Sequence, residues 1–498
     1  VWSDTRPATT TAGDLLSRAH LLAGGLRRRG IGPGDVVAYQ LPNWLDTLEI
    51  LWAGFHVGAT MVPIIHFYGP REVEFILRQS GAKALVTCSS FGAVDHLDNL
   101  ASIRAGLDGL ETVVVVDGGG RTASVPGGID LADLADGDPL TEPATVDPDA
   151  VAMIGYTSGT TADPKGVMHS HRSLLAEVRQ LAANINLREP TIMASPLAHM
   201  TGMLGGSLVP LQNGAPLELI DRFDPGRILG IMAEHGIGLG GGATIFLTSL
   251  LDHPDFGPHH VEVMPRMGLG GAPVPAAVAD RAEALGIKIT RAYGSTEHPS
   301  ITGCRIDHPV HSRTRTDGVP LPGVDIRLVD DDGNQVTTGT PGEILSRGPD
   351  LFVGYTDPAL TDKVMEGSWY RTGDVGVLDD DGCLTITDRV SDLIIRGGLN
   401  ISAAELEERI ATLPTVAEVA VVAAPDERLG ERACAVLRVV PGADAPDLAA
   451  LQAHLESAGL PRQKWPEDLR VVDDFARTPS GKIKKRDLRA WLREDPTA

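Results

Sequence analysis

Between residues 11 and 87, segments patterned for helix and for strand alternate, and this alternation constrains the fold more than any other feature of the chain. Residues 11–30 carry the spacing of an amphipathic helix that stops at Gly30, and Val36–Gln40 reads as a strand. A helix over 45–58, a strand over Thr60–Ile64, a helix over 70–79 and a strand over Ala84–Thr87 follow. Strands separated by helices cannot pair as hairpins, so they form a parallel sheet covered on both faces. The Gly-, Asp- and Pro-rich stretch 117–150 is expected to run over the surface. With 498 residues, 42% of them hydrophobic, the chain exceeds one ordinary core, and two or more domains are expected.

After about residue 318 the pattern changes. Ile326–Val329 and Gln335–Thr338 flank Asp330-Asp331-Asp332-Gly333, and Val375–Leu378 and Cys383–Thr387 flank Asp379-Asp380-Asp381-Gly382. Both read as hairpins, and turn chemistry explains the acidic triplets better than a metal site does. A small tail domain begins near Arg389, with a helix at 402–412, strands at 416–423 and 432–440, a helix at 446–458 and a basic segment at 477–486.

The net charge of −23 argues against a nucleic-acid binder, which needs clustered Lys and Arg against phosphates. It suits the surface of a soluble cytoplasmic enzyme. The cysteines Cys88, Cys304, Cys383 and Cys434 lie far apart, so neither a disulfide framework nor a zinc site is expected. Val1-Trp2-Ser3-Asp4 does not open like a signal peptide, and no apolar run approaches the ~20 residues of a transmembrane segment.

The strongest local signal is Tyr156-Thr157-Ser158-Gly159-Thr160-Thr161-Ala162-Asp163-Pro164-Lys165-Gly166, after the apolar strand Ala150–Ile154 and before a helix near Ser170. Hydroxyls, backbone N–H groups and one Lys in a loop are what a triphosphate needs. It is not a Walker loop, because Gly166 stands where Ser or Thr is required. Gly236-Ile237-Gly238-Leu239-Gly240-Gly241 matches a dinucleotide fingerprint but follows a helical pattern at Arg227–His235 and not a strand, so packing glycines are the better reading. His169 and His171 read as capping or packing side chains.

The chain resembles the ANL superfamily of acyl-CoA synthetases, peptide-synthetase adenylation domains and firefly luciferase. The resemblance rests on the loop 156–166, Pro196-Leu197-Ala198-His199-Met200-Thr201-Gly202, Gly270-Gly271-Ala272-Pro273, Tyr293-Gly294-Ser295-Thr296-Glu297, Tyr370-Arg371-Thr372-Gly373-Asp374 with Asp388-Arg389, Gly397-Gly398-Leu399-Asn400-Ile401, and Pro479-Ser480-Gly481-Lys482, in family order. It implies a large N-terminal α/β domain over 1–388, built of parallel-sheet subdomains with helices plus a small β-rich subdomain. A hinge at 389–391, with Ser391 as pivot, and a small mobile α+β C-terminal domain over 392–498 complete it.

The resemblance also implies roles. ATP or AMP is held by Thr157, Ser158, Gly159, Thr160, Thr161, Lys165, Gly270, Gly271, Ala272, Pro273, Tyr293, Gly294, Ser295, Asp374 and Arg389. Tyr293 offers adenine a flat face, Thr296 a hydroxyl for the phosphates, and Glu297 a hard carboxylate for Mg²⁺. Lys482, Thr296, Glu297 and His199 form the catalytic set. A carboxylic acid ionises at about pH 4–5, so it needs no base, and the work is positioning and charge neutralisation by Lys482 and Mg²⁺. Arg396, Gly397, Gly398 and Leu399 are assigned to a coenzyme A channel. His199, Met200, Met203, Gly242, Ala243, His298 and Ile301 are assigned to the acyl pocket.

Ala162, Ser391, Ala403 and Ala476 depart from the family's usual residues without removing a charged or nucleotide-binding group. Residues 196–203 contain no acid to hold an α-amine, which weakens an amino-acid substrate. His66-Phe67-Tyr68-Gly69 and Gly242-Ala243-Thr244-Ile245-Phe246-Leu247 resemble cyclohexanecarboxylate-CoA and medium-chain ligases. A medium-chain, alicyclic or fatty acid is therefore expected, with coenzyme A as acceptor. A carrier-protein pantetheine is the alternative acceptor, and amino-acid adenylation and a luciferase-like oxygenase are remote alternatives. A homodimer and a carrier protein stand as candidate partners.

Overall fold

Helix α1 (Ala12–Arg28) starts where Thr11 caps it by accepting the backbone N–H of Asp14, and it buries Leu15, Ala19, Leu22 and Leu26 along one stripe. Helix α2 (Leu45–Val57) ends at Gly58 and α3 (Pro70–Ser80) at Gly81, both in the left-handed conformation that glycine tolerates. The computed structural model describes all residues except 119, 158–163, 186–187, 331, 390–391, 397–398, 427, 459, 478–481 and 495–498, and the side chains at 124 and 400. The packing forms two units: Val1–Thr314 with Gly318–Asp325 and Arg347–Ser368, and Arg315–Asp317 with Ile326–Ser346 and Trp369–Ala498.

The first unit holds a sheet of β1 (Val36–Gln40), β2 (Thr60–Pro63), β3 (Ala84–Thr87), β4 (Thr112–Val115), β5 (Gly128–Asp130), β6 (Val151–Thr157) and β7 (Lys165–Ser170). With the short strand Gly354–Tyr355 at one edge, the order runs Gly354–Tyr355, β7, β6, β2, β1, β3, β4, β5. The pairings from β6 through β5 are parallel, whereas β6 with β7 and β7 with Gly354–Tyr355 are antiparallel. Val37, Ala38, Val113 and Val114 are fully enclosed, as parallel strands between helices must be. The expected elements over 11–87 are present with ends within a residue or two.

The stretch 117–150 does not only run over the surface, as its composition suggests. Gly128–Asp130 extends the sheet as β5, and Leu131 and Leu134 of the turn of helix after it are buried. This apolar content is too short to show a period. α1 approaches it closely: a Cβ on Gly25 would lie 1.8 Å from the Leu134 carbonyl oxygen.

A second sheet of the same unit lines up β8 (Gly241–Gly242), β9 (Arg266–Gly270), β10 (Lys288–Tyr293), β11 (Thr302–Gly303) and β12 (Val319–Pro320) in sequence order. Helices α4 (His171–Ile185), α5 (Pro225–His235), α6 (Thr244–Leu251) and α7 (Ala276–Leu285) belong to this unit, and Ile228, Met232, Leu247, Leu250, Leu269 and Ile289 share one core. The glycine run at 236–241 follows α5, with Gly236 as its left-handed cap, so the dinucleotide reading is rightly set aside.

In the second unit β13 (Asp325–Val329), β14 (Gly342–Arg347), β15 (Trp369–Leu378) and β16 (Leu384–Arg389) lie in that order in one sheet, with the short strand Met365–Glu366 also beside β15; β14 with β15 and β15 with β16 are antiparallel. β15 and β16 are the expected hairpin. Gln335–Thr338 is not a strand: only Gln335 bridges Val329, and β13 pairs with β14. The acidic triplets are turns, since Asp330 accepts N–H groups of Asp332 and Asn334, and Asp379 those of Asp381 and Cys383. The tail sheet contains β17 (Ile394–Arg396), β18 (Leu399–Ile401), β19 (Val416–Asp426), β20 (Gly430–Val439) and β21 (Asp468–Val471) in the order β18, β17, β20, β19, with β21 parallel to β20. Helices α8 (Ala403–Ile410) and α9 (Leu448–Ser457) share one core, while α10 (Lys485–Glu494) buries Leu492 in another with Val422 and Val436. The basic segment thus runs into a helix that its charge pattern does not announce. Among the described residues no helix is long and apolar enough to cross a membrane.

Gly25→Ala is expected to lower unfolding free energy by about 1–3 kcal/mol, because α1 must move off the Leu134 backbone. Gly32→Ala, with nothing within 4 Å of its Cβ, should stay within ~0.5 kcal/mol of the parent in the same urea titration.

Candidate active site

β6 and β7 bring Thr157 and Lys165 opposite each other at the ends of paired strands. The loop residues Ser158, Gly159, Thr160 and Thr161 lie outside the described residues. Lys165 Nζ sits 5.5 Å from the centre of the Tyr355 ring. The Tyr355 hydroxyl donates to Glu297 Oε1 at 2.7 Å, and Glu297 is buried to 9% exposure. Pairing of Gly354–Tyr355 with Met168 and Val167 puts Tyr355 there, and the backbone N–H of Phe352 donates to the Glu297 carbonyl at 2.8 Å.

Thr296 is held from the other side: His169 Nε2 lies 2.7 Å from its carbonyl oxygen, a contact that requires the ring to donate from that nitrogen. Burial holds the His169 imidazole below its ordinary range, against the pull of the Thr296 carbonyl. The turn entering Thr296 is tight, because a Cβ on Gly294 would fall 1.9 Å from the Pro299 carbonyl oxygen. Thr296, His199, Met200 and Met203 line one small cleft with Pro63, Met153, Gly155, Tyr156 and Ala198. His199 also caps the helical turn Met200–Met203, its Nδ1 accepting the N–H of Thr201.

Other assigned pocket residues sit differently. Ile301 and His298 are fully buried, Ile301 donating its N–H to the Tyr293 carbonyl and His298 turning its ring to Asp350. Gly242 has φ 151 and no space for a side chain, since a Cβ would lie 2.7 Å from the Phe246 ring, and Ala243 precedes α6 as its cap. Gly270 ends β9, Gly271 has φ 73, and the Pro273 carbonyl, beyond Ala272, accepts the Thr244 hydroxyl. Tyr293 ends β10, and the N–H of Ser295 donates to the His298 carbonyl.

In the second unit, Asp374 and Arg389 face each other directly across β15 and β16, with Arg389 Nε 2.9 Å from Asp374 Oδ1. Asp374 is 5% exposed, so the register of the hairpin, and not a surface encounter, sets the pair. Lys482 lies within electrostatic reach of both. Partial desolvation, then repulsion from Arg389, lowers its ammonium from 10.5 to about 8, while Asp374 pulls the other way. Its side chain still reaches water, which moderates the first cause. Arg396 is engaged by both carboxylate oxygens of Glu467, and Leu399 is partly exposed on β18. Ser391, Gly397 and Gly398 lie outside the described residues.

Residues 2–356 match the family model described as AMP-binding enzyme, and residues 405–482 match that of the AMP-binding enzyme C-terminal domain. The chain belongs to the AMP-binding enzyme family. The ANL resemblance read from its motifs therefore holds. The medium-chain fatty-acid–CoA ligase of Escherichia coli (strain K12) is 34% identical, over 98% of this chain and 86% of that protein. A propanoyl:CoA ligase of Rhodococcus jostii (strain RHA1), whose acyl group carries a methyl-dioxo-octahydro-indenyl ring system, is 35% identical over 95% of this chain and 92% of its own. The crystal structure of ATP-bound MatB from Rhodopseudomonas palustris superposes with a TM-score of 0.87 at 30% identity, covering 97% of this chain and 93% of that one.

Within this AMP-binding enzyme, the sequence reading missed Tyr355, His169 as an anchor of Thr296, and the carboxyl groups behind His298. No local motif marks Tyr355; only strand pairing with β7 brings it to Glu297. Among the described residues no group of three or more His, Cys, Asp or Glu side chains could enclose a metal by itself. Tyr355→Phe removes a hydrogen bond to a carboxylate, an interaction of about 1.5–3 kcal/mol. It is expected to lower the thermal midpoint and to weaken Mg·ATP saturation in acid-dependent pyrophosphate exchange, with the acid's own saturation little changed.

Proposed function

We propose that this enzyme is an AMP-forming acyl-CoA ligase for an apolar carboxylic acid. The observation that carries the proposal is the placement of Lys482 in the field of the paired Asp374 and Arg389, within a chain whose first unit holds Thr296 and the buried Glu297. The groups of the first unit take the phosphates and the acyl group, and those of the second take the ribose and the reacting carboxylate. The acid's carboxylate oxygen attacks the α-phosphorus of ATP, the bond to the bridging oxygen breaks, and pyrophosphate leaves. Two anionic partners repel each other, and an ammonium at Lys482 offsets that repulsion. Glu297 is the group that would hold Mg²⁺, with the Thr296 hydroxyl offered to the phosphates, and one buried carboxylate suits an ion shared with a triphosphate. When bound, Mg²⁺ supplies charge neutralisation on the phosphates. In the second half-reaction the coenzyme A sulfur attacks the acyl carbonyl and AMP leaves.

The Met200 and Met203 side chains beside His199 and Thr296 support an apolar acyl group, because thioether and methylene surface gains from covering a hydrocarbon. The relatives activate a medium-chain fatty acid and a fused-ring propanoate by name, which supports a medium-chain or alicyclic acid and coenzyme A as acceptor. The domain boundary is proposed at 389–391, with residues 392–498 turning about Ser391 between the half-reactions.

A panel of medium-chain and alicyclic acids should drive exchange of pyrophosphate into ATP, and coenzyme A should release acyl-CoA and AMP. Turnover with a pantetheinylated carrier protein alone would reassign the acceptor, and folded protein giving no exchange with any acid would remove the ligase reading. Lys482→Ala should slow acyl-AMP formation by about 10²–10³-fold while sparing thioester formation from supplied acyl-AMP. Because the ammonium is the working form and its pKa is depressed, wild-type adenylation should fall as pH rises between about 8 and 10.5, a limb absent from the residual activity of the Ala variant.

A further inference from the structure

Behind the Thr296–Glu297 turn the first unit buries ionisable groups that adenylation does not use. Glu177 on α4 and Asp350 are both fully enclosed. The Ser300 hydroxyl donates to Glu177 Oε1 at 2.6 Å, and His298 Nε2 lies 3.3 Å from Asp350 Oδ1. The remaining oxygens, Glu177 Oε2 and Asp350 Oδ2, are buried with no hydrogen-bond partner among the described residues, and the charge of Asp350 acts on Glu177. Two neighbouring carboxylates cannot both stay ionised in such a place. Burial, and then the charge of Asp350, push the Glu177 carboxyl up to about 8, with Ser300 opposing.

The cluster is tied to the site through backbone. The His298 N–H lies 3.3 Å from Ser295 Oγ, which accepts it, and the His298 carbonyl accepts the Ser295 N–H at 2.9 Å. Asp350 stands two residues before Phe352, whose N–H holds the Glu297 carbonyl. Gly348 leaves the space that the pair needs, since a Cβ there would lie 2.9 Å from both Asp350 Oδ1 and His298 Nε2.

We propose that Glu177 and Asp350 share one proton and, through His298, brace the Ser295–Glu297 turn, making all three positioning residues for Thr296 and Glu297. The proposal rests on the ligase roles assigned to those two residues. The groups facing Glu177 are Asp350 from the 347–356 loop and Ser300 from the segment after the turn, and those acting on His169 beside them include Asp350, Glu297 and His298. A carboxyl whose pKa is raised on folding contributes stability that is complete below its unfolded value and is lost as pH rises through its folded value. For Glu177 that window runs from its ordinary 4.5 to about 8.

The test compares wild type, Glu177→Gln and Glu177→Ala by thermal midpoint against pH and by Mg²⁺ titration of acid-dependent pyrophosphate exchange. Gln keeps a neutral donor and acceptor, so its midpoint should decline less than that of wild type from about pH 5 to 9, and its half-saturating Mg²⁺ should stay within about twofold. Ala removes the group that shares the proton with Asp350, and half-saturating Mg²⁺ should rise about tenfold while the rate at saturating Mg²⁺ falls less than about threefold. Parallel midpoint curves for wild type and Gln, or wild-type Mg²⁺ dependence in Ala, overturn the brace. If Ala does not fold, the midpoint curves of wild type and Gln decide alone. Wild type without exchange overturns the ligase reading instead, and the brace is again judged by those curves.

Discussion

The antiparallel pairing of β6 with β7 is the constraint on which the first unit depends. Every other strand from β6 to β5 runs parallel, so each connection crosses the sheet through intervening chain. At β6 the chain instead reverses and returns beside itself, and the loop between Thr157 and Lys165 starts and ends at neighbouring strand ends. The same reversal positions two groups further along the chain. β7 carries His169, whose ring anchors the Thr296 carbonyl, and β7 in turn pairs with Gly354–Tyr355, which brings a phenol to Glu297.

Glu297 shows how a buried carboxylate is kept usable. A charge taken out of water is costly unless hydrogen bonds replace its solvation. Here Tyr355 supplies one such bond to the side chain and Phe352 supplies one to the carbonyl, both from a single short segment. The pair Glu177 and Asp350 meets the same cost differently, by keeping a proton instead of a counter-charge.

In the second unit, charge is arranged by register. The hairpin places Asp374 opposite Arg389, so their ion pair is built into the ladder and does not rely on two flexible side chains finding each other. Lys482 then feels a neighbouring cation and a neighbouring anion together. Beyond it, Asp392 is bound by Arg489 and lies 3.7 Å from Lys485 Nζ, and Lys485 reaches Glu407 at 2.8 Å, which fastens α10 to the start of the tail sheet and to α8.

Local pattern by itself determined the strand and helix alternation over 11–87, the tail helices and strands, the acidic turns and the order of the motifs. Each of these is set within a few residues by side-chain period, a cap such as Thr11 or Gly58, or an Asx turn at Asp330 or Asp379. The edge strand Gly128–Asp130 and helix α10 escaped that reading, since one is too short for a period and the other is masked by its own charge. Motif order also pointed to Thr296, Glu297, Asp374, Arg389 and Lys482 as candidates. What only the tertiary structure decided is which groups surround them. Tyr355, Glu177, Asp350 and His169 are separated by up to about 190 residues of chain and carry no shared local signature. Their meeting follows from strand pairing and helix packing, which bring distant backbone within hydrogen-bonding range, and burial then gives those contacts their energetic weight.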